Sequence, residues 1–263
     1  MEYENISVVR EKNDAVVIIT LNRPQVLNAT NLDLWDDLHK AIGDIKEDRR
    51  ARVVVLRGAG SRSFSVGMDL KSTYDTFTTA IEEVGRAIHG CCREIMQIPQ
   101  IVVCDVRGYC FGGALELMLA CDYVIATEDS VFSMPEMNVG LPCMVESALL
   151  VHAVGLHKAR EMCYFAWKYD AHRAERMGLI NEVVSLDTRE QRVSQIVDEL
   201  IGKDATALAV QKDIIYKWLT TDLEAAMQYS ILAMKLCQGS PAQVTAMKAF
   251  LEKKGKHPGE NSD

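Results

Sequence analysis

The sequence predicts an α/β protein with a largely parallel sheet and an all-helical C-terminal region. Short runs rich in β-branched residues alternate with amphipathic helical patterns from Ile6 to about Pro142. The order strand, helix, strand implies right-handed crossovers and therefore parallel neighbours. From Leu156 onward strand patterns nearly vanish and helical spacing takes over.

In chain order, Ile6–Val9 and Val16–Leu21 read as a hairpin turning at Asn13-Asp14, and Pro24 closes it because proline cannot continue a ladder. Asn31 is placed to cap a helix in which Leu34, Trp35, Leu38, Ala41, Ile42 and Ile45 recur at helical spacing. Arg52–Leu56 is a buried strand stopped by Gly58-Ala59-Gly60. The run Phe64–Leu70 reads as a loop, and Thr79–Met96 as a helix with Val84, Ile88, Cys91 and Ile95 on one face. Ile101–Val106 is again a buried strand, and Gly112-Gly113 leads into a short apolar helix, Ala114–Ala120. Tyr123–Thr127 and Val131–Ser133 predict a strand hairpin around Asp129. Gly140-Leu141-Pro142 predicts a helix opening at about Cys143, since proline is well tolerated in a first turn. Lys158–Trp167, Ala171–Met177, Arg189–Ile201, Ala205–Leu219, Leu223–Leu236 and Pro241–Lys253 are expected helices, interrupted by a short run at Asn181–Val184. No internal repeat is evident.

With 263 residues, the chain accommodates one large domain with an appendage. The composition shift divides it into a β/α core at 1–195, a helical region at 196–254, which must pack on the core or on a neighbouring chain, and a polar tail at 255–263 expected to be disordered. A net charge of −8 argues against non-specific binding to nucleic acid or to a membrane surface. The eight cysteines include no C-x-x-C pair and the six histidines form no H-E-x-x-H, so reduced thiols and no metal are expected. The N-terminus lacks an apolar signal core and no run is long enough to span a bilayer, which predicts a cytoplasmic protein.

Two features bear on chemistry. Gly67-Met68 and Gly112-Gly113 each lie in a loop after a strand, and such loops share one rim of a parallel sheet. Backbone N–H groups left uncovered there suit an oxygen that gains negative charge, although glycines also serve turn geometry alone. Glu116, one turn into an otherwise apolar helix, is either turned out to solvent or kept for chemistry. With Glu136 it would form a carboxylate pair suited to acid–base work on water, provided the two face one cavity.

The segments Leu21–Ala29 (LNRPQVLNA), Phe64–Leu70 (FSVGMDL), Val106–Asp122 (VRGYCFGGALELMLACD), Phe132–Pro142 (FSMPEMNVGLP), Ala174–Val184 (AERMGLINEVV) and Ala249–Lys254 (AFLEKK) together resemble the crotonase, or enoyl-CoA hydratase/isomerase, superfamily over residues 5–254. The resemblance implies a β-spiral core of the ClpP/crotonase type, a C-terminal helical trimerisation region giving trimers or dimers of trimers, and an acyl-CoA thioester substrate without further cofactor. It implies an oxyanion hole from the backbone N–H groups of Met68 and Gly113. It puts Glu116 and Glu136 on the two hydratase glutamates, with Glu116 as the base toward water and Glu136 as the proton donor to the α-carbon. Gln25, Leu27, Gly67, Asp69, Leu70, Lys71 and Gly112 fall on positions that flank the substrate and its CoA moiety. Both acids together point to reversible hydration of a 2-enoyl-CoA. Isomerisation or thioester hydrolysis on the same enolate, and a non-catalytic binding homologue, are the alternatives.

The chain departs from the family pattern at Gln25, where a basic residue is usual, and at Cys143–Ser147, where glycines are usual. Cys143 is expected to fill space, and Glu146 to sit as an acid in a first helical turn, favoured by the helix dipole. Tyr74, Phe77, Phe111, Met134 and Met137 are candidates for an acyl pocket, with core packing the simpler reading. His152 and His157 are expected to be structural.

Overall fold

The structure, a computed structural model, describes residues 3–79, 81–143 and 145–254. Its larger sheet has six strands: β1 (Ile6–Glu11), β2 (Val16–Leu21), β3 (Val53–Gly58), then, past β4 (Ser63–Ser65), β5 (Ile101–Val106), and, past β6 (Tyr109–Phe111), β7 (Tyr123–Thr127). The sixth strand, β10 (Glu182–Val184), follows β8 (Val131–Ser133) and β9 (Tyr169–Asp170) in the chain. The spatial order is β1-β2-β3-β5-β7-β10, with β1 antiparallel to β2 and every other pairing parallel. The smaller sheet, β4-β6-β8-β9, takes the short strands, with β4, β6 and β8 mutually parallel.

Both faces of the larger sheet are covered, which is why its strands read as continuous apolar runs rather than alternating ones. Val17, Ile19, Val54, Leu56, Val102 and Cys104 share one core with α1 (Leu32–Glu47) and, beyond α2 (Leu70–Thr79), with α3 (Ile81–Gln97). Trp35 from α1 and Ile88 from α3 are among its largest fully buried side chains. Asn31 caps α1 as expected, its side chain accepting from Leu34 N–H at 3.1 Å. Past α4 (Gly113–Leu119), α5 (Leu149–Phe165) and α6 (Ala171–Arg176), α7 (Arg189–Ile201) covers the other face. There Val193, Ile196 and Val197 pack on Val16, Ile18, Val53 and Val55. The side chain of Arg189 grips Asp105 of β5 through two 2.7 Å bonds. Burial raises the Asp105 carboxyl above its usual range against the pull of that guanidinium. Removing one partner of such a pair typically costs about 3–5 kcal/mol.

Several expectations change in the fold. β7 and β8 do not form a hairpin: they belong to different sheets, and the turn at Asp129 carries the chain from one to the other. The run from Phe64 starts inside the strand β4 and ends at the first residue of α2, an additional helix ahead of α3, which lies close to the expected Thr79–Met96. No helix opens at Cys143; a 3-10 turn at Val145–Ala148 leads into α5, which is broken at Gly155 by a φ of 77°. A repeat absent from the sequence is present in space, because β3/β4, β5/β6 and β7/β8 each place one strand in the larger sheet and the next in the smaller. The division drawn at 195/196 falls within α7, so the chain passes to the helical region at Gly202–Asp204.

The helical region comprises α8 (Ala205–Thr220), α9 (Leu223–Ala233) and α10 (Pro241–Lys254). Lys212 pins α8 to the core: 5% exposed, its ammonium donates to the Gln100 carbonyl at 2.8 Å and to the Asp122 carboxylate at 2.6 Å. By contrast Leu223, Ile231, Leu232, Met247, Phe250 and Leu251 on α9 and α10 are exposed. The tail at 255–263 lies outside the described residues. Among the described residues no helix is long and apolar enough to cross a membrane, and no three His, Cys, Asp or Glu side chains group as metal ligands would.

Candidate active site

Three parallel strands of the smaller sheet, β4, β6 and β8, bring their carboxyl ends to one rim. The chain leaves β4 through Val66-Gly67-Met68, leaves β6 through Gly112 into α4, and leaves β8 through Met134-Pro135 to Glu136. The shared rim anticipated from the loops therefore exists, but on a sheet of which β8 alone was readable in the sequence. Two glycines are obligatory there. Gly67 has φ +81°, and a Cβ on it would stand 2.6 Å from the Phe111 carbonyl oxygen and 3.5 Å from the Gly113 nitrogen. Gly112 has φ +55°, and its missing Cβ would lie 2.6 Å from Glu136 Oε1.

These loops enclose a cavity of about 210 Å³ lined by Gly67, Met68, Gly113, Glu116 and Glu136, with Leu70, Ile88 and Val139 among its apolar walls. Among the described residues neither Met68 N–H nor Gly113 N–H donates to another protein atom. In the parallel bridge beside Met68, Thr30 N–H donates to Gly67 O and Asp69 N–H to Thr30 O, both at 2.8 Å, which leaves the intervening amide unused. Gly113 is the first residue of α4, whose opening N–H groups have no intrahelical acceptor. Two unused donors on adjacent loops suit an oxyanion.

Glu116 is 2% exposed, so the solvent-facing alternative is excluded. Its Oε1 accepts from Ser147 N–H at 3.0 Å and from the Ser147 hydroxyl. Burial pushes its carboxyl up to about 8, the Ser147 hydroxyl opposing and the nearby Glu136 charge adding to the rise. Glu136 is half-buried and is also raised, by burial first, with the Cys143 thiol at 3.7 Å from Oε2 working the other way. With both carboxyls raised in one cavity, the charge of Glu136 makes it harder for Glu116 to ionise. Behind Glu116, Glu146 stands in a first turn as expected, but that turn is a 3-10 one and the acid itself is buried. The 3-10 turn that carries it lies against α3, leaving it 5% exposed with Oε1 at 2.6 Å from His89 Nδ1.

Leu70, Gly67 and Gly112 line the cavity, whereas Gln25, Leu27, Asp69 and Lys71 do not. Gln25 sits exposed in the 3-10 turn Pro24–Val26. Leu27 follows it, its carbonyl accepting from Val66 N–H at 3.3 Å and so bracing the β4 loop. The Asp69 side chain accepts from Ser72 N–H at 3.2 Å and pairs with Arg23 at 3.1 Å; these bonds outweigh burial and hold it below the usual carboxylate range. Lys71 is exposed. Met134 belongs to the core, Tyr74 and Met137 are exposed, and Phe111 lies against Tyr109, ring centroids 5.1 Å apart. The side chain of Phe77 is outside the described residues. His152 and His157 are exposed on α5. Ser147 was missed; its place next to an expected buried acid is legible only once the chain between Pro142 and α5 is folded.

Residues 11–260 match the family model described as enoyl-CoA hydratase/isomerase. The short-chain-enoyl-CoA hydratase of Clostridium acetobutylicum is 29% identical over 97% of both chains, and a probable enoyl-CoA hydratase of Mycobacterium tuberculosis 30% identical over the same share. The crystal structure of enoyl-CoA hydratase from Bacillus anthracis superposes with a TM-score of 0.90 at 28% identity, covering 95% of this chain and 97% of that one. With its paired sheets, its helical C-terminal region and these relatives over nearly its whole length, the chain belongs to the enoyl-CoA hydratase/isomerase family and has the crotonase fold.

Proposed function

We propose that this protein is an enoyl-CoA hydratase that adds water reversibly across the double bond of a 2-enoyl-CoA thioester. The observation that carries this reading is the convergence of Glu116 and Glu136 on the cavity that also holds the unused N–H groups of Met68 and Gly113. In this mechanism the thioester oxygen lies against those two amides. Water sits between the carboxyls, which share one proton; it rests on Glu116 at neutral pH, and the reaction proceeds from the form that carries it on Glu136. Glu116 takes a proton from the water as its oxygen bonds to the β-carbon. The π electrons move to the thioester oxygen, forming an enolate that the amides stabilise; one such donor is typically worth about 3–4 kcal/mol of barrier. Glu136 then protonates the α-carbon, leaving the pair's single proton on Glu116. Coenzyme A enters only as part of the substrate. The exposed apolar faces of α9 and α10 support self-association as the family's trimer or dimer of trimers.

The test is incubation with a 2-enoyl-CoA in isotopically labelled water, with the product analysed by mass. Gain of one labelled water with CoA retained supports hydration. Release of free CoA favours hydrolysis, and an enoyl product of unchanged mass favours isomerisation.

A further inference from the structure

Cys143 occupies the place where the family pattern has a glycine, and the structure gives that departure a chemical context. The residue follows Pro142, and its Sγ is 3.7 Å from Glu136 Oε2 and 3.9 Å from the Cys163 carbonyl. The opposite oxygen, Oε1, is the one that fills the space left by the missing Cβ of Gly112. The Glu136 carboxyl is thus bounded on one side by backbone and on the other by a thiol. We propose that Cys143 is a positioning residue for Glu136: its S–H donates to Oε2 and holds the carboxyl with Oε1 against the Gly112 turn, in the orientation from which the α-carbon is protonated. The role assigned to Glu136 here rests on the hydratase reading.

The thiol is suited to donating rather than to attacking. Its contact with Cys163, burial and the neighbouring Glu136 charge all raise it, so it keeps its proton across the working range. A thiol carries one proton, for which the Cys163 sulfur and carbonyl compete with the carboxylate; the carboxylate, charged when ionised, is favoured over these neutral partners. The titratable groups facing Glu136 are few: Glu116 from α4, Cys143 from its own connection, and Cys163 from α5 behind that thiol. The inference therefore separates the two acids by their supports. Ser147 holds Glu116 and Cys143 holds Glu136, and both supports come from the stretch in which this chain departs from the glycines of its family.

Cys143→Ala and Cys143→Ser, compared with wild type, test this. Removing the donor in Cys143→Ala should lower kcat about tenfold with little change in KM, because the thioester grip is untouched. It should also move the alkaline limb of the kcat–pH profile, where Glu136 loses its proton, to higher pH, since the carboxylate form has lost a hydrogen bond. Cys143→Ser, which keeps a donor, should recover part of both effects. Infrared titration of the carboxyl band missing from Glu136→Gln reads the same shift without turnover. It therefore bears on Cys143 even should the wild type prove not to hydrate enoyl-CoA, a result that would remove the hydratase reading alone. Wild-type kcat and an unmoved Glu136 titration in Cys143→Ala would overturn the inference, as would a serine variant no better than alanine on either readout.

Discussion

Glu116 should make the protein less stable as the pH rises through neutrality, and Glu116→Gln should relieve this. The carboxyl lies near pH 8 in the fold against an ordinary value of 4.5, so between these limits the native state binds a proton that the unfolded chain has lost. Stability then falls with rising pH: the penalty is absent below about 4.5, grows through the window and is complete above about 8. That gap corresponds to roughly 5 kcal/mol. Glutamine is close in size, and its amide oxygen can accept the same two bonds from Ser147. Denaturant unfolding of wild type and Glu116→Gln, at matched protomer concentration, should coincide at pH 5. By pH 8.5 the variant should be the more stable by several kcal/mol, while its hydration rate is lower by about 100-fold or more. Unfolding curves with a constant offset across this range would refute the reasoning, since they would mean that Glu116 is not forced to ionise in a dry site.

The other acid gives a companion test. Glu136→Gln should also slow hydration by at least about 100-fold, and the double variant should lose less than the product of the singles, with affinity for a saturated acyl-CoA little changed. A strictly multiplicative loss in hydration assays would mean that the two carboxyls do not act on one water. Ser147→Ala removes the hydroxyl donor from Glu116 but leaves the backbone N–H, so the Glu116-dependent limb of the pH–rate profile should move further upward and kcat fall about tenfold. An unshifted limb would remove Ser147 from the network. Light scattering at micromolar concentration should give a trimer or hexamer mass; a monomer would show that the apolar faces of α9 and α10 are not covered by self-association.

Legibility in the sequence followed element length. β2, β3, β5 and β7 are five- or six-residue apolar strands and were readable because both faces are buried. β4, β6 and β9 have two or three residues each, too few for any period to show, so of the smaller sheet only β8 was readable. The site was half legible for the same reason. Glu116 stood out as one charge in an apolar helix, and the glycine pairs marked the loops, but which sheet supplied the rim was not readable. Glu136 could be named as a partner for Glu116, but their convergence on one cavity rested on the family resemblance. Ser147, Cys143 and the Glu146–His89 pair reach their places through a 3-10 turn that carries no periodic signal.

The passage of the chain between two sheets divides the labour of the strands. The long strands, sandwiched between α1, α3 and α7, hold the fold, while the three-residue strands present the chemistry, one loop per strand. The two amides and two acids of the proposed site thus sit on three connections, Gly113 and Glu116 sharing the one after β6. The loop after β8 carries Glu136 but neither the Met68 nor the Gly113 amide, although Glu136 abuts the Gly112 turn. A change confined to the loop after β8 would therefore alter one acid of the proposed site while leaving the long strands that hold the fold as they are.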